Sequence, residues 1–557
     1  MMTPEIVAGK LAAIAEEFTH HWPVPGGIVV AVTRDGTLFE LPFGFADLDA
    51  RKAVTRDHLF QIGSISKIFV GLMVLLLAEQ GKLDLDDNVE KHLPWFRVRS
   101  DHPPFTLRHL LNHSSGLPAS TDALPDELGQ AWWLRDLATG FAPGTAFHYS
   151  NIGYILLGLV IASAAGKPAA GFCRDALLDP LGMTATAPDI RNIDRPRYAT
   201  GYAPAADDRP WLPGDPMAPA TWFETNTADG NIAATGPDMG RFLRMVLGAG
   251  DLEGRRVISG TSFQDLVGAL APAGEPIVAF LGQAGVESSR YGLGINVETI
   301  RRSACYTHGG GMVGYGSFVL ADPEADIAIA VLTNANGDCP AAQVIARIGH
   351  ALLTDADMAV PPISLKLVAD DPVAFDPAMI GRFVAAGQES DRPAITVRLD
   401  ADGAVLLSSG GQTARLFKDW SNRYATDHPF LGRYHLGFHF IEGKPVWTHG
   451  PLEFRTSPSP EVSPPSHLKG CTGHFRSHSP WFSNFRIVLR AGRLLLIAAG
   501  GVEAPVEEEE LVELGPGHFR IGKDPFAPER LVMGPRIAGK VISLERDGTR
   551  YSRTFTD

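Results

Sequence analysis

Four cysteines in 557 residues, at positions 173, 305, 339 and 471, are too few and too scattered for a disulfide framework. That usage fits a reducing compartment. No Cys/His cluster has the spacing of a zinc site, and His20-His21 reads as a solvated helix face. Basic charge is scarce as well: 49 Lys and Arg stand against 63 Asp and Glu, for a net charge of −14. Nucleic acid and anionic membranes both need a basic footprint, so neither is an expected partner. Long apolar runs are missing. The longest, Ile68 to Ala78 and Ile152 to Ala165, fall short of a bilayer span and read as buried helices. The start, Met1-Met2-Thr3-Pro4-Glu5-Ile6, lacks the basic and apolar regions of an export signal. The expectation is a cytoplasmic protein without metal, cofactor or membrane contact.

What is present is ordinary globular material, 45% hydrophobic and 20% charged. At this length it is enough for two to four domains. A helix is predicted over roughly Pro4 to His20, then a strand pair, Gly27 to Val32 and Leu38 to Leu41, around the Asp35-Gly36 turn. Helical periodicity dominates from Ser64 to about Gly250, with helices near Leu107–Leu111, Ile152–Ala165 and Asp238–Leu247. Strand patterns return at Tyr291–Val297, Ala304–Thr307, Ser317–Leu320 and Ile327–Thr333, before a closing helix around Ala341 to Leu353. This order predicts an α/β domain over residues 1–357, with an antiparallel sheet, flanking terminal helices and an inserted helical subdomain.

Beyond Asp355 the texture changes. Met358 to Pro362 reads as a linker, and Ser457 to Pro465 as a stronger one. The pieces on either side of the second linker repeat each other. Ile380-Gly381-Arg382-Phe383 matches Thr472-Gly473-His474-Phe475, and Ile395 to Leu399 matches Ile487 to Arg490. Asn422-Arg423-Tyr424 matches His518-Phe519-Arg520, and Phe454-Arg455-Thr456 matches Ser552-Arg553-Thr554. Short alternating strands in about ninety residues per copy predict two small antiparallel β-barrels, over 364–456 and, lipocalin-like, over 467–557.

Three stretches carry chemistry. In Gly63-Ser64-Ile65-Ser66-Lys67, a serine and a lysine one turn apart open an all-apolar helix. A lysine there sits near low dielectric, where the ammonium is disfavoured and the amine can take a hydroxyl proton. A helix cap with a surface lysine is the bland alternative. A second Ser-x-x-Lys, Ser466 to Lys469, lies in the Pro/Ser-rich linker with no apolar helix behind it. In Tyr149-Ser150-Asn151, Tyr149 can act as acid or base if Lys67 lowers its phenol pKa, and Asn151 can orient lysine and substrate amide. In His308-Gly309-Gly310-Gly311, glycines inside a strand pattern signal close approach of a backbone or ligand, with N–H groups open to an oxyanion. His308 would be a polar or proton-handling group.

In this order and separation the three stretches resemble the serine β-lactamase and penicillin-binding-protein superfamily, in its class C β-lactamase and D-aminopeptidase branch. Leu110-Leu111-Asn112-His113-Ser114-Ser115-Gly116, Pro180-Leu181-Gly182-Met183, Asp229-Gly230-Asn231 and Leu332-Thr333-Asn334 extend the likeness over roughly residues 10 to 355. The two-barrel tail resembles the layout of bacterial D-aminopeptidases. The resemblance implies a class C β-lactamase-like fold and makes Ser64 the acylated nucleophile, Lys67 and Tyr149 its proton-handling pair, and Asn151 a positioner. It sets His308 where lysine often stands, with the backbone N–H groups of Ser64 and Gly311 as the oxyanion hole, and Gly309 and Gly310 beside them. Penicillin-directed members carry Lys-Thr-Gly there. His308-Gly309-Gly310 has neither that cation nor that hydroxyl, which counts against β-lactam hydrolysis. The implied activity is acyl-enzyme cleavage of short peptides or amino-acid amides, with a small molecule or short peptide as partner and a homodimer left open. The alternatives are a carboxylesterase with the same catalytic set, a β-lactamase, and a silent binding protein. Intact Ser64, Lys67, Tyr149 and Asn151 weigh against the last.

Overall fold

The computed structural model describes residues 3–120, 126–275, 286–354, 376–385, 394–401, 403–419, 423–457, 463–505 and 507–556. The chain divides into two compact units. One comprises Met1–Ala203, Ala218–Pro361 and Phe526–Pro528; the other comprises Pro204–Met217, Pro362–Pro525 and Glu529–Asp557. The linker expected at Met358 to Pro362 lies outside the described residues, as does most of the one at Ser457 to Pro465.

The first unit is built on an eight-stranded antiparallel sheet. Its strands are β1 (Gly26–Val32), β2 (Thr37–Asp47), β3 (Lys52–Ala53), β4 (Val286–Tyr291), β5 (Asn296–Ile300), β6 (Ser303–Met312), β7 (Tyr315–Asp322) and β8 (Ile327–Thr333). The spatial order is β4-β5-β6-β7-β8-β1-β2-β3. Every residue of β1, β7 and β8 is buried, as in strands covered on both faces; β1 and β8 are almost wholly apolar, while β7 also carries Ser317 and Asp322. Helices α1 (Pro4–His21) and α5 (Ala341–Thr354) cover one face, where Gly349 of α5 meets Ile329 and Leu11. Helix α4 (Gly236–Leu247) covers the other, its first glycine set against Ile28 and Val30.

Two all-apolar helices form the centre of the helical insertion: α2 (Ser66–Glu79), buried from Ser66 to Leu77, and α3 (Asn151–Ala165), buried from Ile152 to Ile161. They pack on each other, and Phe69 stacks on Phe242 of α4 at 4.2 Å between ring centroids. One strand departs from expectation. The run Tyr291 to Val297 is cut into β4 and β5 by a turn in which Gly292 N–H donates to the Ile295 carbonyl. Gly294 holds φ +103° there, and an added Cβ would lie 2.4 Å from the Lys67 carbonyl oxygen. The apolar pattern runs unbroken through this turn because the turn itself is packed on α2.

In the second unit, two closed barrels of eight strands run from Gly381 to Arg455 and from Gly473 to Arg553. The repeat matches mark equivalent places: each barrel closes by pairing its first strand with its last, Ala385 with Phe454 and Phe475 with Arg553. Apolar side chains fill each interior, among them Phe383, Leu407 and Trp447 in the first and Phe485, Leu496 and Tyr551 in the second. Eight strands enclose just the space that side chains fill.

Candidate active site

Ser64 stands in a one-turn 3-10 segment, Gly63–Ile65, that runs directly into α2. Gly63 adopts φ +51°, and a Cβ there would come within 3 Å of the Gly311 backbone nitrogen and oxygen. Glycine is required at that meeting of nucleophile turn and strand edge. Gly310 is tighter still, since an added Cβ would sit 2.0 Å from the Ile62 carbonyl oxygen. Ser317 Oγ donates to that same carbonyl at 2.8 Å, fixing the turn to the sheet. The glycine run was expected to mark a close backbone approach, and it does. Gly310 is consumed in that approach and buried, whereas Gly309 and Gly311 remain partly exposed.

Lys67 is fully buried. Its Nζ donates to Ser64 Oγ at 2.9 Å, Asn151 Oδ1 at 2.8 Å and the Asp229 carbonyl at 2.8 Å. Asn151 opens α3, whose N-cap Ser150 accepts from Gly153 N–H at 3.2 Å. Asn151 Oδ1 and the Asp229 carbonyl oxygen can only accept, while Ser64 has a hydroxyl that can also donate. In its base form Lys67 therefore keeps two N–H bonds and aims its lone pair at the Ser64 proton. Asp229 lay within a family-like stretch, but its part is played by a backbone oxygen, which no side-chain pattern announces.

Tyr149 hydrogen-bonds Ser64, with Lys67 Nζ 5.0 Å from its ring centroid. The sequence suggested that positive charge would lower the phenol. The structure corrects this: burial, and then the Glu275 carboxylate, push it well above its usual range, against a smaller lowering by the Ser64 bond. Tyr149 is a neutral hydroxyl, able to relay a proton and unsuited to rest as a phenolate.

His308 on β6 is 1% exposed, and both ring nitrogens are engaged. Nδ1 lies 2.6 Å from the Gly309 carbonyl and must donate, so Nε2 accepts the Tyr291 hydroxyl proton at 2.7 Å. Burial holds its pKa down to about 3, with Lys67 adding to the effect against the Gly309 bond. His308, expected as a polar or proton-handling group, is a neutral ring with both nitrogens bonded. Tyr291, its partner, lies where sequence reading saw only a strand. Strand β5 pairs with β6 only as far as Thr307, so among the described residues His308 to Met312 have no strand partner on that side, next to Ser64. Glu275, partly buried, accepts from Asn296 Nδ2 and is raised by burial and then Glu298, against lowering by the Asn296 bond and Lys67.

Away from this site, the fold gathers Cys305, Asp322 and His350, all buried, with donor atoms within 4.8 Å of one another. The Asp322 carboxylate already accepts from His350 Nε2 at 2.9 Å and from two backbone N–H groups. Burial raises the Cys305 thiol far above its usual value. The set is closed internally, and a soft metal would have to displace those bonds.

A partly exposed serine with a buried lysine, a Tyr–Ser–Asn turn and a glycine-rich strand edge around one hydroxyl define a serine hydrolase site. The Beta-lactamase family model matches residues 14–353, and the chain belongs to that family, within the serine β-lactamase and penicillin-binding-protein superfamily. It is 26% identical over 418 residues to penicillin-binding protein 4* of Bacillus subtilis, covering 72% of this chain and 87% of that one. Over 191 residues it is 30% identical to protein flp of Staphylococcus aureus, 32% of this chain and 38% of that protein. Among solved structures it resembles the octameric penicillin-binding protein homologue of Pyrococcus abyssi, with TM-score 0.57, 24% identity, and coverage of 80% and 99%. It also resembles D-amino acid amidase of Ochrobactrum anthropi, with TM-score 0.52, 23% identity, and coverage of 62% and 98%. These two likenesses are likenesses of fold.

Proposed function

We propose that this chain cleaves amide bonds of amino-acid amides or short peptides through an acyl-enzyme on Ser64, in the manner of a D-aminopeptidase. The observation that carries the reading is the neutral, tyrosine-bound His308 beside an intact Ser64–Lys67–Tyr149–Asn151 set. A substrate bearing a carboxylate next to the scissile bond, as β-lactams do, needs a cation or hydroxyl on that edge. Here the edge offers an uncharged ring and bare glycine.

Ser64 Oγ attacks the carbonyl carbon while its proton passes to Lys67, with Tyr149 as relay to the leaving amine. The oxyanion is received by backbone N–H groups of Ser64 and Gly311, and Asn151 holds lysine and substrate amide in register. Expulsion of the amine takes that proton and leaves the acyl-enzyme. Water then attacks the acyl carbon, giving a proton to the same pair, which returns it to Ser64 Oγ as the ester bond breaks and the carboxylic acid leaves. The octameric Pyrococcus homologue makes self-association worth measuring by sedimentation. The test of function is a hydrolysis panel of D- and L-aminoacyl p-nitroanilides, p-nitrophenyl butyrate and a chromogenic cephalosporin. The expected order places aminoacyl anilides first and the cephalosporin last. Turnover of the ester alone would favour the carboxylesterase reading, and a cephalosporin in first place would overturn the substrate assignment.

A further inference from the structure

One residue outside the catalytic set touches three consecutive residues of the Tyr149 turn. The His113 carbonyl accepts the His148 N–H at 2.8 Å. Its ring Nδ1 accepts the Ser150 N–H at 3.0 Å. Its ring face lies over Tyr149, centroids 4.2 Å apart at 32°. The residue is fully buried and adopts φ +57°, a conformation that costs a non-glycine residue and persists where surroundings enforce it.

Accepting at Nδ1 places the ring proton on Nε2 and leaves the imidazole neutral. Nε2 is buried without a hydrogen-bond partner among the described residues. The ring is instead enclosed by Tyr291 at 4.6 Å, Tyr154 at 5.1 Å and Phe147 at 5.8 Å. A charged imidazolium is opposed there by burial and by the nearby Lys67. An orphaned N–H is a standing cost, and a residue serving packing alone would be better apolar. What an apolar ring cannot supply is the acceptor for Ser150 N–H, which lies between the two residues that flank Ser64 chemistry.

We propose that His113 is a positioning residue whose neutral ring clamps the 148–150 turn and thereby holds the Tyr149 hydroxyl on Ser64. The proposal rests on the reading of Tyr149 as part of the proton-handling pair. It is tested by the rate at which a fluorophosphonate acylates Ser64 and by kcat and KM on p-nitrophenyl butyrate. The variants are His113→Phe, His113→Asn, His113→Gln, Tyr149→Phe and the His113→Phe/Tyr149→Phe double. Phenylalanine keeps the stacked ring and removes the acceptor, so acylation and kcat should fall about 10- to 100-fold with KM within about twofold. Asparagine places an oxygen where Nδ1 stands and tolerates positive φ, so it should recover to within about fivefold of wild type. Glutamine places its acceptor one bond too far and should not recover.

Acting through Tyr149, His113→Phe should add nothing further to Tyr149→Phe in the double variant. Wild-type acylation by a folded His113→Phe protein, or losses that multiply in the double, would overturn the proposal. Should His113→Phe fail to fold, the Asn and Gln pair decides, because glutamine matching or exceeding asparagine has the same overturning force. Tyr149→Phe acylating at the wild-type rate would instead remove the reading of Tyr149, a failure visible separately from that of His113.

Discussion

The two walls of the site differ in how they treat charge. On the helical wall, Lys67 is buried with three acceptors within 3 Å, and Tyr149 stands over Ser64 as a neutral phenol. On the sheet wall, His308 is buried to a similar degree and is kept uncharged by that burial and by the nearby Lys67, against the Gly309 carbonyl bond. The first wall arranges partners for a proton to move; the second arranges partners so that none does. On the function proposed above, proton transfer falls to the helix starts, and the strand edge serves the oxyanion and substrate choice.

Removing the reacting atom should break the comparison most completely. Ser64→Ala is expected to lower turnover by about 10³-fold or more with the melting temperature unchanged, measured with the best substrate of the panel. Next come the groups that share its proton. Lys67→Ala, Tyr149→Phe and their double should each lose about 10²- to 10⁴-fold in kcat, the double no worse than the poorer single. Losses that multiply would reduce Tyr149 to a packing or binding role.

The sheet wall should respond in stability. Gly310→Ala pushes a methyl onto the Ile62 carbonyl and is expected to cost about 1–3 kcal/mol in urea unfolding. Gly309→Ala, whose Cβ meets nothing closer than Phe318 at 3.7 Å, should be near neutral. Equal costs at the two positions would contradict the close approach that fixes the nucleophile turn.

The smallest effect concerns pH. His308 is neutral in the fold down to about pH 3, whereas an unfolded histidine takes a proton below about pH 6.5. Between these values the unfolded chain binds the extra proton, so stability falls as pH falls. Replacing His308 by Gln should flatten the acid side of the urea midpoint profile between about pH 4 and 6.5 relative to wild type. An unchanged slope would mean that His308 carries its charge in the fold.

The parts of this site that were legible in the sequence are those written in side chains at short range. Ser64 and Lys67 declare themselves by one-turn spacing before an apolar helix, and Gly310 by glycine inside a strand pattern. The two barrels show in the repeat because matched aromatic and aliphatic positions are the ones that fill each interior. The rest depends on long-range placement. Lys67's third acceptor is the carbonyl of Asp229, 162 positions away, and any residue could have supplied it. Tyr291 reads as a strand aromatic until β4 brings its hydroxyl to His308. The direction at Tyr149 was misread because a neighbouring cation is visible in a motif, whereas burial and a carboxylate from residue 275 are not. The break in Tyr291 to Val297 was hidden because its turn is as apolar as a strand.

The most direct test of the division between the walls is covalent labelling. Fluorophosphonate treatment of the full-length protein, followed by peptide mass analysis, should place one adduct on Ser64. His308→Gln should leave its rate within about threefold of wild type, while Lys67→Ala should slow it by about 10²-fold or more. An adduct on another residue, or a His308→Gln loss as large as that of Lys67→Ala, would contradict the assignment of chemistry to the helical wall.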